Sequence, residues 1–251
     1  MIDSVIRVAQ QAAQAILEVY HRGDFTVGQK ADASPVTRAD LAANDIIIAG
    51  LAGIGGYPVL TEESPVAYAQ RRHWQKYWLV DPLDGTKDFI AKNDGFTVNI
   101  ALMENRQPVL GVVLLPVTGD VYYAEKNSGA FKNGRRIINR SQRRDLIASD
   151  SIFHSTPLVS EFFAAHKITR ITRFGSSIKI CKLAEGVIDV YPRLNGTKEW
   201  DTAASHIIAN EAGCKLIDVV TAKPLTYNKE NLVNNHFIAS RNDLHFVRAP
   251  L

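Results

Sequence analysis

Cysteine is almost absent: the 251 residues include two, Cys181 and Cys214, and no Cys-x-x-Cys pair. A disulfide scaffold and a thiolate zinc site are excluded on that ground, and a reducing compartment is expected. No apolar run reaches the ~18 residues that a membrane span needs. Residues 1–20 carry Asp3, Arg7, Gln10, Gln11 and Gln14 among their apolar positions, so no signal-peptide core is expected there and a cytoplasmic location is. Charge of one sign is scarce too, since 29 Lys and Arg against 26 Asp and Glu leave +3. That balance suits an anionic small molecule and falls short of a nucleic-acid footprint. The densest basic run, Arg135 to Arg144, has no interleaved aromatic residue and reads as a solvated face or loop, so no nucleic-acid partner is expected. Internal repeats and low-complexity tracts are also missing.

What remains is ordinary globular composition, 46% hydrophobic and 22% charged. At roughly 100–200 residues per domain, the length allows one large domain or two intimate lobes. Val5, Ala9, Ala12, Ile16 and Val19 recur at helical steps, predicting an amphipathic helix over 1–20. A loop marked by Gly23, Gly28 and Ser34-Pro35 leads to a second helix over 37–50. Apolar runs at 57–60 and 77–80 read as buried strands, and 96–103, 109–115 and 121–124 as an antiparallel meander turning at Pro108 and Gly119. From about residue 145 strands (146–149, 168–171, 187–191, 214–219, 236–240) alternate with helices (157–166, 176–185, 200–212). The expectation is an α+β lobe over 1–140 and an α/β lobe over 141–251, with a second sheet covered by helices.

The informative chemistry is acidic. A strand leads into Asp81-Pro82-Leu83-Asp84-Gly85-Thr86, and Asp-Pro-x-Asp-Gly suits a tight turn whose first and fourth Cα atoms lie within about 7 Å. Two carboxylates and a carbonyl such as that of Leu83 would then form an open oxygen site for a hard divalent cation. Gly85-Thr86-Lys87-Asp88-Phe89 can start a short helix, whose free N–H groups attract phosphate. A plain surface turn with backbone-capping aspartates fits the same residues. Glu62-Glu63 follows a strand and on its own reads as solvated loop charge. Asp201, after Trp200, opens a helix and reads equally as its cap. Asp40, in Thr37-Arg38-Ala39-Asp40, has the spacing of a capping box.

In this order, Glu62-Glu63-Ser64, Asp81-Pro82-Leu83-Asp84-Gly85-Thr86 and Trp200-Asp201 resemble the motifs of the Mg2+-dependent, lithium-sensitive inositol-monophosphatase-like phosphatases, over nearly the whole chain. Within that family, Lys87-Asp88-Phe89, Gly175-Ser176-Ser177-Ile178-Lys179, Val190-Tyr191-Pro192-Arg193 and Lys223-Pro224-Leu225 are similar to the bacterial 3'(2'),5'-bisphosphate nucleotidase branch. Thr61, where many relatives have Gly, and Asp88, where the branch often has Glu, depart from the pattern without removing a ligand. The resemblance implies a layered αβαβα sandwich of two intimate lobes and two or three Mg2+ ions. It implies that Glu62, Asp81 and the Leu83 carbonyl hold one Mg2+, that Asp81, Asp84 and Asp201 hold a second, and that a third leans on Glu62. Thr86 and Asp40 would then orient and deprotonate the attacking water, with Glu63 behind the ligands.

The implied reaction is hydrolysis of 3'-phosphoadenosine 5'-phosphate to AMP and phosphate, with 3'-phosphoadenylyl sulfate as a second substrate and a link to sulfur assimilation. Leu83, Asp84, Gly85, Thr86, Ser176, Lys179, Arg193 and Asp201 would touch this bisphosphorylated nucleotide. Lys179 reads equally as an exposed helix lysine, and Arg193 as a loop charge. Trp74, Trp78 and Trp200 read as core, His206 as packing, and Cys181 as a buried, inert thiol. Rival readings are an inositol or sugar-bisphosphate phosphatase with the same metal site, and a catalytically silent ligand sensor on the same fold. A monomer or homodimer is expected, either free in the cytoplasm or peripheral on the cytoplasmic face of the inner membrane.

Overall fold

A computed structural model describes residues 1–23, 25, 27–29 and 35–246. Helix α1 (Ile2–Arg22) buries Val5, Ala9, Ala12 and Ile16 and ends at Gly23, whose φ of 71° lets its N–H return to the Val19 carbonyl. Helix α2 (Arg38–Ala52) packs beside it. Strands β3 (Val59–Thr61), β4 (Lys76–Asp84), β5 (Thr97–Glu104), β6 (Gln107–Leu115), β7 (Asp120–Glu125), β8 (Gly129–Lys132) and β9 (Arg135–Ile137) form a seven-stranded sheet in chain order. The β3–β4 pair is parallel and every later pair antiparallel. Strands β10 (Ile147–Ser151), β11 (Arg170–Phe174), β12 (Val190–Arg193), β13 (Cys214–Asp218) and β14 (Phe237–Arg241) form a five-stranded sheet in the order β11-β10-β12-β14-β13.

The side-chain period of two makes five layers from these elements. On β4, Trp78 and Val80 face α1 and α2 with Ile100 and Val112. Tyr77 and Leu79 point the other way, toward helices α6 (Ile178–Ala184) and α7 (Ala203–Glu211). Leu216, Phe237 and Ala239 of the five-stranded sheet close the same cluster from beyond those helices. Helix α5 (Pro157–Ala165) covers the outer face of that sheet through Val159, Phe162 and Phe163. The result is a mixed αβαβα sandwich. Gly111 on β6 is required by it, because a Cβ there would lie 2.3 Å from the Ala204 carbonyl oxygen of α7. Among the described residues no helix is long and apolar enough to cross a membrane.

Several local expectations are corrected. The segment expected as a loop holds β1 (Val27–Gln29) and β2 (Pro35–Thr37), paired antiparallel; Ser34 lies outside the described residues. Pro108 sits within β6, and the turn before it is Asn105-Arg106, both with positive φ as a two-residue hairpin requires. The basic run begins as a strand, because Asn133-Gly134 forms a second such turn and starts β9 at Arg135. Strands expected from 168 and 187 begin at Arg170 and Val190, and the short helix α3 (Tyr68–Arg71) was not anticipated.

Candidate functional site

Strand β4 does not turn at Asp81. Asp81 opposes Asn99 of β5 and Asp84 opposes Thr97, three steps on one strand against two on the other. The extra residue is a β-bulge, a place where Pro82, lacking an N–H, fits. In a regular strand residues three apart point to opposite faces. The bulge brings them to one side, and carboxylate oxygens of Asp81, Asp84 and Asp201 lie within 4.8 Å of one another. The expected β-turn is therefore replaced by strand pairing, while the convergence it was invoked for is present. The Leu83 N–H donates to Asp81 Oδ1 at 3.1 Å.

Asp201 does not cap α7. Thr202 occupies the cap position, and Asp201 closes a turn upstream, where Oδ2 accepts the Lys198 N–H at 2.9 Å. Glu62 follows β3, donates its N–H to the Val80 carbonyl and lines the same cavity, outside the aspartate trio. Thr61 shapes the Glu62–Ser64 bend: its hydroxyl donates to Asn44 Oδ1 and accepts the N–H groups of Glu63 and Ser64. Asp40 caps α2 and also reaches Thr86. Its Oδ2 accepts the Thr37 N–H at 2.8 Å in a complete capping box, and its Oδ1 accepts the Thr86 hydroxyl at 3.2 Å. Thr86 opens the short helix α4 (Thr86–Ile90) after Gly85, whose φ is 93°.

Burial raises the Asp84 carboxyl above the ordinary range, opposed by Lys179 and the Ser177 N–H. Asp201 is pushed up further, by burial and then by Asp84 and Glu62. Packed carboxylates with no cation among them repel, and their donor set is all oxygen, which fits a hard cation such as Mg2+.

The cavity, about 420 Å³, is lined by this trio and by Gly85, Thr86, Ser176, Lys179 and Arg193. Lys179 is no exposed helix lysine. It is 3% exposed on α6, its Nζ donates to the Phe174 carbonyl at 3.2 Å and lies 5.4 Å from the Tyr191 ring centroid. Burial pulls its amine down to about 8, against the pull of Asp84. Arg193 is a strand residue, not a loop charge; it is 8% exposed, its Nη2 donates to the Gly196 carbonyl, and its Nε is buried without a partner. Ser176 stands at a strained φ of 38°, with Gly175 pressed so closely on Gly95 that a Cβ would lie 2.2 Å from its carbonyl oxygen.

His154, which no spacing in the sequence marked, also lines the cavity. Burial and then the charges of Arg193, Lys87 and Lys179 hold its imidazole neutral, down at about 4. Of the tryptophans, Trp78 and Trp200 are core and Trp74 packs at its edge, and Trp200 also contributes to the cavity wall. His206 is buried on α7, bonded through Nδ1 to the Tyr227 hydroxyl at 2.8 Å. Cys181 is fully buried, and burial pushes its thiol up.

The sequence profile of the inositol monophosphatase family matches residues 1–248. The 3'(2'),5'-bisphosphate nucleotidase CysQ of Escherichia coli strain K12 is 42% identical over 246 residues, covering 96% of this chain and 99% of its own. That of Haemophilus influenzae is 33% identical over 248 residues, covering 95% and 91%. The crystal structure of CysQ from Bacteroides thetaiotaomicron matches with a TM-score of 0.86 and 41% identity over 96% of this chain and 97% of its own. The Thermotoga maritima IMPase, at 24% identity and a TM-score of 0.81 over 95% and 91%, shares the fold.

Proposed function

The chain belongs to the inositol monophosphatase family, and from that premise we propose that it is a Mg2+-dependent 3'(2'),5'-bisphosphate nucleotidase. Its substrate is 3'-phosphoadenosine 5'-phosphate, which it converts with water to AMP and phosphate in the cytoplasm. The sulfated analogue 3'-phosphoadenylyl sulfate is a second substrate, which links the enzyme to sulfur assimilation. The near full-length CysQ relatives support the substrate class.

One observation carries the reading: buried cations share the cavity with the acidic trio. Asp81, Asp84 and Asp201 converge in it, and buried Lys179 and Arg193 line its wall. A simple monophosphate ester needs only the acidic trio. A substrate with two phosphates also uses the cations, and Arg193 retains a buried, unpartnered Nε for it.

Glu62, Asp81 and the Leu83 carbonyl would hold one Mg2+, and Asp81, Asp84 and Asp201 another, with a third leaning on Glu62. When bound, such ions neutralise the phosphate and align the attacking and leaving oxygens of an in-line displacement. The protein's own groups do the rest. The Thr86 hydroxyl, held by Asp40, orients the water, and Asp40 takes its proton through that hydroxyl. Gly85 and Thr86 hold the reacting phosphate, and Ser176, Lys179 and Arg193 hold the second one. Alignment and charge complementarity supply most of the rate in phosphoryl transfer.

The test is phosphate release from 3'-phosphoadenosine 5'-phosphate and inositol 1-phosphate side by side, with Mg2+ and with EDTA. Mg2+-dependent preference for the nucleotide is expected. Preference for the inositol ester overturns the substrate, and release from neither overturns the enzyme reading.

A further inference from the structure

Asp84 and Asp201 come from different parts of the fold. Asp84 ends β4 in the seven-stranded sheet, whereas Asp201 lies on the segment leading into α7, and no strand pairing joins them. Ser177, the residue just before α6, touches both. Its backbone N–H donates to Asp84 Oδ2 at 2.7 Å, and its hydroxyl donates to the Asp201 carbonyl oxygen at 2.6 Å. The Asn99 amide completes the bridge, donating one hydrogen to Asp84 Oδ2 at 3.3 Å and the other to Ser177 Oγ at 3.0 Å. Thr97 anchors Asn99 in turn, its hydroxyl lying 3.0 Å from Asn99 Oδ1.

The donor and acceptor count closes. The single hydroxyl hydrogen of Ser177 is committed to Asp201, its lone pair receives Asn99, and both amide hydrogens of Asn99 are used. Ser177 is 3% exposed and Asn99 1%, so water does not compete for these bonds. Serine before a helix is ordinarily a cap. Here the Ser177 side chain makes no capping bond to α6, and its hydroxyl points to the segment carrying Asp201 instead. The grip on Asp201 is on its carbonyl, and therefore acts on where the residue stands, not on the charge of its carboxylate.

We propose that Ser177, together with Asn99, is a positioning residue that sets the separation of Asp84 and Asp201 and thereby the affinity of the trio for divalent cations. This rests on the reading of the three aspartates as a cation site. Groups that orient metal ligands from behind typically change affinity about 10–100-fold when removed.

The experiment is calorimetric titration of the metal-stripped full chain with Mn2+, paired with urea unfolding in EDTA. Ser177→Ala and Asn99→Ala are each expected to raise the Mn2+ dissociation constant about 10–100-fold. The double variant should lose less than the sum of the two singles, because the two side chains share a bond. Ser177→Thr, which restores the hydroxyl, should recover most of the affinity. Should Ser177→Ala not fold, Asn99→Ala carries the same test. Wild-type Mn2+ affinity in both alanine variants overturns the proposal. So does an equal loss in Ser177→Thr and Ser177→Ala that tracks a fall in urea midpoint, since that is a purely structural role. Asp84→Asn separates the two levels. If wild type binds Mn2+, Asp84→Asn does not and Ser177→Ala matches wild type, the positioning role alone falls. If wild type binds no Mn2+, the cation reading falls and the proposal with it.

Discussion

Asp201→Asn should stabilise the metal-free protein. Without a cation, Asp201 lies within 4.8 Å of two other carboxylates. Two full charges at that distance repel by about 3 kcal/mol at an effective dielectric of ~20. Part of this is relieved because the folded chain takes up a proton there, as the raised Asp201 carboxyl indicates, and cavity water screens more. A net penalty of about 1–3 kcal/mol is left at neutral pH. The sign follows from the direction of the shift. A carboxyl raised in the folded state binds its proton more tightly there than in the unfolded chain. Stability is therefore greatest below the unfolded value and falls as pH rises through the interval up to the raised folded value.

At pH 7.5 the wild type bears that loss, and an asparagine does not. The amide oxygen of the variant can still accept the Lys198 N–H, so the turn that places residue 201 survives. At roughly 2–4 °C per kcal/mol for a chain of this size, the variant should melt about 2–12 °C above wild type in EDTA. Adding Mg2+ should raise the wild-type Tm by mass action and leave the variant unmoved. Scanning calorimetry of both proteins, with EDTA and with Mg2+, at pH 7.5 and pH 5, reads all of this. The gain should shrink at pH 5. A variant that melts at or below wild type in EDTA at pH 7.5 refutes the electrostatic argument.

Lys179→Met keeps the side-chain volume and removes the charge beside the second phosphate. The KM for 3'-phosphoadenosine 5'-phosphate should rise about 10-fold or more, that for a simple phosphate ester far less, and equal changes would remove Lys179 from the substrate. Because its amine titrates at about 8, the wild-type KM for the bisphosphate should climb between pH 7 and 9, and the climb should vanish in the variant. Gly111→Ala forces a Cβ to 2.3 Å from the Ala204 carbonyl oxygen. Such overpacking costs about 1–3 kcal/mol; a melting temperature within 1 °C of wild type, against the about 2–12 °C expected, would show that α7 does not sit as close to β6 as described.

What could be read from the chain was what is local. The capping box of Thr37 and Asp40 is a four-residue pattern and closes as its spacing requires. The apolar runs of β4 and β5 are equally local, and so is the αL glycine ending α1. Asn133-Gly134 carried a hairpin signal of the same kind, and β8 and β9 were legible through it although no strands were expected there. Asp81–Asp84 was read correctly as a convergence and wrongly as a turn. Local propensity favours a turn at Asp-Pro-x-Asp-Gly, but pairing with Thr97 and Asn99 on β5 holds the segment extended. That partner strand lies outside any window in which propensity acts.

Charge burial escaped for the same reason. Nothing in the neighbourhood of Lys179 tells that its ammonium is enclosed, because the groups that face it, Phe174 O, Asp84 and the Tyr191 ring, include contributions from other elements. The paired serines make the point most sharply. Ser176 and Ser177 are chemically identical neighbours, yet one stands at φ 38° with its hydroxyl toward Thr97, and the other at φ −66° with its hydroxyl on the Asp201 backbone. Motif matching drew attention to Ser176 because it asks which side chains could meet a substrate. The distance between aspartates from separate segments is a different quantity, carried by non-local bonds, and the residues that make those bonds need no spacing signature of their own. Asn99 and Ser177 are such residues. A variant survey confined to motif positions would miss Asn99 and give Ser177 no role, whereas one guided by the hydrogen bonds received on Asp84 Oδ2 reaches both at once.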